Sequence, residues 1–131
     1  MMTDYAIRIL MYMQTKGRVV TRQEISTAMG ITDGPLITTL RRLRDAGWLV
    51  SSSGSEGGWK LATNAETISL LEIMKLTEDT ILVNRCLEDG MFCSRSAVDI
   101  CPVHMMYKRY QEVMEAYFSA ITIGDLMKPK K

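Results

Sequence analysis

All three cysteines and the single histidine of this chain lie within nineteen residues. They are Cys86, Cys93, Cys101 and His104, and their spacing is C-x6-C-x7-C-x2-H. Thiolate and imidazole groups are the ligands that iron–sulfur clusters and zinc ions take in proteins. The stretch therefore predicts a metal site, and the fold must bring these side chains together around one loop.

The end of this stretch also predicts the start of a helix. Pro102 suits the first helical position, so Cys101 and His104 would share one turn where the positive end of the helix dipole favours a thiolate. Separately buried, inert thiols are the alternative interpretation. The odd number of cysteines argues against a disulfide framework. The spacing is also wider than the paired C-x2-C of structural zinc sites.

Charge is distributed unevenly along the chain. Residues 1–60 contain eight Lys or Arg against five Asp or Glu, whereas residues 61–131 contain eight against ten. A basic N-terminal half indicates a polyanion as its partner. We find no signal peptide and no apolar stretch long enough to span a bilayer. We therefore expect a cytoplasmic protein that has no membrane partner.

The N-terminal half has the pattern of a helix-turn-helix. Residues 4–15 predict a first helix that is apolar nearly all round, so we expect a partner surface to cover part of it. A capping-box sequence at residues 21–24 begins a second helix, which ends at a glycine. A third helix, capped by Thr32 or Asp33, continues to Ala46. Two short helices joined by a glycine-containing turn are typical of this motif.

The third helix has two distinct faces. Leucines at one-turn spacing form an inward face, whereas Thr38, Arg41 and Asp45 point the other way. Gly34 lies near the helix start, and Arg42 flanks the polar face. Hydroxyl and guanidinium groups of this kind can contact base edges and phosphates, which favours DNA over an ordinary solvated surface.

Two short strands follow the helices and flank a tip rich in Ser and Gly. A helix-turn-helix followed by a β-hairpin is a winged helix, so the predicted fold class is mostly α with a small β-hairpin wing. The residues predicted to contact DNA are Thr21, Arg22, Thr32, Gly34, Thr38, Arg41, Arg42, Ser53 and Ser55.

The C-terminal part predicts one more capping box, at Ser69–Glu72, and then the longest helix, residues 102–120. An apolar seam along this long helix favours pairing with its copy in a dimer. The residues predicted at that interface are Met106, Tyr110, Val113, Met114 and Tyr117. The predicted organisation is a DNA-binding domain at 1–80, a sensor loop at 81–101, and a dimerisation helix with a C-terminal turn at 102–131.

Several segments, taken in order, resemble the Rrf-type winged-helix transcription regulators over nearly the whole chain. Besides the three cysteines they are Thr3-Asp-Tyr-Ala-Ile-Arg8, Leu40–Val50, Gly57–Ala62, Ile68–Leu70 and Ile121–Leu126. The resemblance implies a homodimer, joined through the long helix, that binds a palindromic operator in double-stranded DNA.

The resemblance also implies a cofactor. In the cluster-binding members of that family, three cysteines hold a [2Fe–2S] or [4Fe–4S] centre, which purified protein can lack. The fourth ligand is either a histidine, here His104, or an N-terminal acid of the other subunit, here Asp4. Many relatives have an arginine in the wing, whereas this chain has none and places Glu56 at the tip.

The sequence therefore predicts a homodimeric winged-helix repressor controlled by an iron–sulfur cluster at three cysteines, and not an enzyme. One alternative is a cluster-free repressor that is switched by thiol oxidation or by a partner protein. A second alternative, from another class, is a small iron–sulfur electron-transfer protein. The absence of a second cofactor motif argues against it.

Overall fold

The computed structural model describes residues 2–52, 58–84, 87 and 101–128. Within these ranges the chain forms six α-helices, one short 3₁₀ helix and one two-stranded sheet. In chain order the elements are α1 (Met2–Lys16), α2 (Arg22–Met29), α3 (Asp33–Asp45), β1 (Leu49–Ser52), β2 (Gly58–Leu61), the 3₁₀ helix (Ala65–Thr67), α4 (Leu70–Thr77), α5 (Pro102–Ser119) and α6 (Ile123–Met127).

Helix α1 lies at the centre of the fold. It contacts α2, α3, α4, α6, the 3₁₀ helix and β2. Ala6, Ile9, Leu10 and Met13 are each at most 1% exposed. The partner surface predicted to cover part of this helix is therefore not needed at these four residues. Elements distant in sequence supply that cover within the same chain.

The helix-turn-helix forms as predicted. Thr21 Oγ1 accepts a hydrogen bond from the backbone N–H of Glu24 at 3.0 Å, which caps α2. Gly30 ends α2 with φ of 67°, a left-handed conformation that glycine adopts without steric cost. Three leucines of α3 are fully buried, and they anchor this helix to the core; they are Leu36, Leu40 and Leu43.

The wing is an antiparallel hairpin in which Leu49 pairs with Leu61 and Ser52 with Gly58. A further bridge joins β2 to the segment before α2, through two backbone hydrogen bonds of 2.8 and 2.9 Å. A Cβ at Gly58 would lie 2.5 Å from Cγ1 of Val19, so a larger residue here would force the Val19 side chain to move. The predicted DNA contacts Ser53 and Ser55 lie outside the described residues.

Two capping boxes meet where α4 and α6 begin. Ser69 and Glu72 form the first, and Thr122 and Asp125 form the second. Ser69 and Thr122 also form an antiparallel bridge, so both helices start from one pair of extended residues. Through Ile123, which is fully buried, α6 joins the same core as the helix-turn-helix. The end of α5 is thereby tied to the winged helix.

Helix α5 differs from the other long helices in its burial. Only Gln111 is classed as buried along its eighteen residues. Large apolar side chains on α5 are at least half exposed, namely Val103, Met105, Met106, Tyr110, Val113 and Tyr117. None of the helices in the described ranges combines the length and apolar character needed to cross a membrane.

Candidate functional site

The outward face of α3 presents polar groups to solvent. Thr38 and Arg41 are exposed, as are Gly34 near the helix start and Asp45 at its end. The hydroxyl of Thr38 donates to the carbonyl of Gly34 at 3.1 Å, and its oxygen can still accept. A hydroxyl and a guanidinium exposed on one helix face are groups that can contact base edges in the major groove of DNA.

The N-termini of α2 and α3 add further groups for phosphate contact. Thr21 and Thr32 are the N-caps of these helices. Arg22 is exposed, and its Nε lies 3.9 Å from the carboxylate of Asp33, so the starts of the two helices are close together. Backbone N–H groups at helix starts, together with an exposed arginine, can bind phosphate oxygens. DNA contact by these residues remains a prediction.

Arg42 is placed differently from the other predicted DNA contacts. Its guanidinium is partly buried and points toward the end of α4. Nη1 donates to the carbonyl of Thr77 at 3.1 Å and, more weakly, to the carbonyl of Leu76 at 3.4 Å. Nη1 of Arg42 is thus engaged within the protein, which distinguishes Arg42 from the exposed Arg41.

A three-residue cluster ties α1 to the start of α2. Glu24 accepts from Tyr12 Oη at 2.5 Å and from both Nη atoms of Arg18 at 3.0 and 2.8 Å. Hydrogen bonds from Arg18, and then from Tyr12, lower the pKa of Glu24 to about 2. The hydrogen bond to Glu24 raises the pKa of Tyr12 and that of Arg18.

No sequence pattern predicted this cluster. The capping-box sequence at residues 21–24 instead predicted that the Glu24 side chain would turn back to the N-cap backbone. Only half of that box forms, because the carboxylate is taken by α1 and Arg18. The available signal was the Arg18–Glu24 charge pair, but it spans a turn and a helix start and so has no helical periodicity.

Only one of the predicted thiol ligands lies in the described part of the chain. Cys101 is the N-cap of α5, is 8% exposed, and makes no side-chain capping hydrogen bond. It is a free thiol. His104 follows on the first turn of α5 and is partly buried. Cys86 and Cys93 lie outside the described residues, and no group of three metal-binding side chains occurs among those described.

The chemistry of Cys101 nevertheless fits a soft metal ligand. Its sulfur lies at the N-terminus of an eighteen-residue helix, where the helix dipole stabilises negative charge. Its burial would limit solvent access to a bound group. These two properties agree with the predicted role of Cys101 in holding an iron–sulfur centre.

Asp4, the alternative fourth ligand, is already paired in the monomer. Its carboxylate lies 3.0 Å from Nη2 of Arg8, one helical turn along α1. Nη1 of Arg8 donates to the carbonyl of Met29 at 3.1 Å, and Arg8 also stacks over the ring of Tyr5. Asp4 remains exposed, so binding a metal of the partner subunit would compete with its ion pair.

An open cleft of about 540 Å³ is lined by residues of α1, α4 and α5. Its wall on α5 is formed by Tyr110, Met114 and Phe118, and Ile7 of α1 lies opposite. This cleft adjoins the exposed apolar face of α5 through Tyr110. Two of the predicted interface residues, Tyr110 and Met114, thus line a concave apolar surface.

Comparison with known proteins identifies the family. A family model named Rrf2 and described as an iron-dependent transcriptional regulator matches residues 1–129. The chain belongs to the Rrf2 family. The family resemblance read from the sequence is confirmed, and this chain is a DNA-binding transcription regulator and not an enzyme.

Two curated relatives match this chain over most of their length. It is 32% identical over 133 residues to protein aau3 of Rhizobium meliloti, covering 98% of this chain and 83% of that protein. It is 25% identical over 134 residues to the HTH-type transcriptional regulator NsrR of Bacillus subtilis, covering 98% and 89% of the two chains.

Solved structures confirm the predicted fold class. This chain superposes on Staphylococcus aureus CymR with a TM-score of 0.76 at 19% identity, covering 99% of this chain and 98% of that one. It superposes on T. potens IscR with a TM-score of 0.67 at 19% identity, covering 98% and 88%. The shared architecture is the winged helix followed by a long helix.

Proposed function

We propose that this Rrf2-family protein is a homodimeric repressor whose affinity for a palindromic operator depends on an iron–sulfur cluster held by Cys86, Cys93 and Cys101. The observation that carries the proposal is the position of Cys101. It is a buried free thiol at the N-terminus of α5, the helix whose apolar face is exposed. A ligand there would act directly on the helix that we propose to join two subunits.

His104 is the proposed fourth ligand. It follows Cys101 by one helical turn, so both side chains can serve the same centre without a change of backbone. An imidazole is also a softer ligand than the carboxylate of Asp4. Asp4 would have to leave its 3.0 Å ion pair with Arg8 and reach across to the partner. A cluster, when bound, would supply redox and nitric-oxide chemistry at this point.

The exposed face of α5 supports the homodimer. Met106, Tyr110, Val113 and Tyr117 are between 50% and 63% exposed and recur at one-turn spacing along the helix. An apolar stripe of this kind is costly to leave in water. Pairing two copies would bury it and place two α3 helices on one duplex, with half-sites about one helical turn or a multiple of it apart.

Purification without oxygen tests the cofactor. We expect visible absorption with iron and sulfide in the wild-type protein, and loss of all three in Cys86→Ser, Cys93→Ser and Cys101→Ser. Lys108→Ala, an exposed change on α5, is the control that should keep the cluster. Wild-type protein that contains no iron or sulfide even after anaerobic reconstitution would disprove the cluster. If its DNA affinity then changed with thiol oxidation, the cluster-free alternative would replace it.

A second pair of variants tests the fourth ligand. We expect His104→Ala to change the visible circular dichroism and make the cluster more labile, whereas Asp4→Ala should leave both unchanged. The opposite result would assign the position to Asp4 of the partner subunit.

A further inference from the structure

The C-terminal end of α4 is held by a side chain of α3. The last carbonyls of any helix lack intrahelical partners and carry partial negative charge. Here Arg42 of α3 donates to the carbonyls of Leu76 and Thr77, at 3.4 and 3.1 Å. A guanidinium at this position both satisfies the carbonyls and complements the helix dipole.

Helix α1 holds the same end of α4 from another side. The hydroxyls of Thr3 and Thr77 lie 2.8 Å apart, and the Thr3 hydroxyl oxygen also lies 2.6 Å from the carboxylate of Glu78. Thr3 and Thr77 are both buried. The junction between α4 and the following chain is therefore positioned relative to α1 and α3 together.

The chain that follows α4 is attached to α5 by Gln111. This side chain is 6% exposed. Its Oε1 accepts from the N–H of Val83 at 2.8 Å, and its Nε2 donates to the carbonyl of Ile81 at 3.1 Å. One carboxamide thus satisfies two backbone groups of the segment that follows α4. It holds the segment that leads toward the cysteines against the middle of α5.

We infer that Arg42 and Gln111 are positioning residues that couple α3, through the end of α4, with the segment that leads to the cysteines. Only residues 78–80 separate the two attachment points along the chain. A shift of residues 81–83 on α5 would be carried to the carbonyls that Arg42 binds, and so to α3. The inference deepens the proposed function, because it rests on the cysteine segment controlling DNA affinity.

The adjacent arginines of α3 would then have different roles. Arg41 is exposed and is predicted to contact DNA directly, whereas Arg42 is turned inward to α4. Loss of a direct contact should lower DNA affinity in every state of the protein. Loss of a positioning residue should instead uncouple residues 78–84 from DNA binding.

Hydrogen exchange measured with and without DNA tests this directly. The probe is a duplex that the wild-type protein selects from a random pool, added at saturation to the cluster-free full chain. We expect DNA to slow exchange in residues 78–84 of the wild type by about tenfold relative to α6, a typical size for coupling between sites. In Arg42→Met and Gln111→Met this response should disappear while DNA still binds.

Matched variants separate positioning from general damage. Arg44→Met removes an exposed arginine of α3, and Lys108→Met an exposed lysine of α5, so both should keep the wild-type response. Gln111→Glu keeps an acceptor for Val83 but loses the donor to Ile81, and it should also lose the response. If Arg42→Met fails to fold, the wild-type measurement and the Gln111 variants still decide the question.

Two results would overturn the inference: no response of residues 78–84 in wild-type protein saturated with DNA, or an unchanged response in both Arg42→Met and Gln111→Met. Neither depends on iron, because the measurement uses cluster-free protein. Absence of iron and sulfide would therefore disprove the cluster without touching this inference, and the two failures can be told apart.

Discussion

Helices α1 and α5 are both rich in apolar side chains, yet those of α1 are buried in the core and many of those of α5 are exposed. Helix α1 has four apolar residues that are at most 1% exposed, whereas the only buried residue of α5 is the polar Gln111. Helix α1 is surrounded by elements of its own chain, and α5 contacts mainly α4. Apolar composition alone therefore does not tell whether a helix serves a core or an interface.

The two helices differ in burial because different numbers of elements of the same chain contact them. Helix α1 is followed by short helices and a hairpin that return to it, and α6 also comes back to contact it. Helix α5 has α4 on one side and no element of the described chain on its exposed stripe. Its apolar face is thus available to a second copy, which the core of α1 is not.

The largest expected effect tests the core role of α1. Leu10→Ala removes a fully buried side chain and leaves a cavity among α1 and its neighbours. We expect the free energy of unfolding to fall by about 2–5 kcal/mol in chemical denaturation. Met105→Ala, an exposed residue of α5 away from the predicted seam, should change it by less than about 0.5 kcal/mol. Similar losses of unfolding free energy in both variants would contradict the view that α1 forms the core and α5 does not.

The second test addresses the interface role of α5. Tyr110→Glu combined with Met114→Glu places two carboxylates on the apolar face. We expect dimer affinity to fall by at least about 100-fold, which is roughly 3 kcal/mol, because charge would be buried without a partner. Sedimentation should then show monomers. Lys108→Glu on the opposite side of α5 is the control, and a soluble, unchanged dimer in the double variant would place the interface elsewhere.

A third test separates the surface for DNA from the surface for protein. Arg41→Ala should weaken binding to the selected duplex by about 1–3 kcal/mol if the guanidinium contacts a base. If it contacts only phosphate, the loss should be similar on random DNA and the salt dependence shallower by about one unit. Dimerisation should be unaffected. Unchanged affinity for both duplexes would remove Arg41 from the interface.

A smaller effect is expected where α5 passes into α6. Thr122 caps α6 by accepting from the N–H of Asp125 at 3.2 Å. Thr122→Ala should cost about 1 kcal/mol of stability, measured by denaturation, and Thr122→Ser should restore most of it. Equal losses in both variants would show that the methyl group, rather than the cap, is what matters.

The smallest effect concerns pH and the link between α1 and α2. The pKa of Glu24 is about 2 in the folded protein and has an ordinary value of 4.5, so its ion pair stabilises the fold above about pH 4.5. That contribution should be lost progressively as pH falls toward 2. We expect Glu24→Gln to flatten this part of the acid stability curve and Tyr12→Phe to flatten it less. Identical acid stability curves for the wild type, Glu24→Gln and Tyr12→Phe would show that the Glu24 ion pair does not stabilise the fold.

Local signals allowed much of the fold to be predicted. The capping residues Thr21 and Ser69 each begin a helix where the sequence predicted one. The inward stripe of α3 and the exposed pair Thr38 and Arg41 also follow the predicted periodicity. These features depend on groups within three or four residues of one another, and that is the range over which a sequence pattern can be read.

Only the tertiary structure decided which partner each versatile side chain takes. Arg41 and Arg42 are neighbours about 100° apart on α3, but one faces solvent and the other binds α4 carbonyls more than thirty residues along the chain. Gln111 likewise meets a segment about thirty residues before it. A guanidinium or carboxamide can bind many acceptors, so its partner is set by which elements the packed core brings within reach.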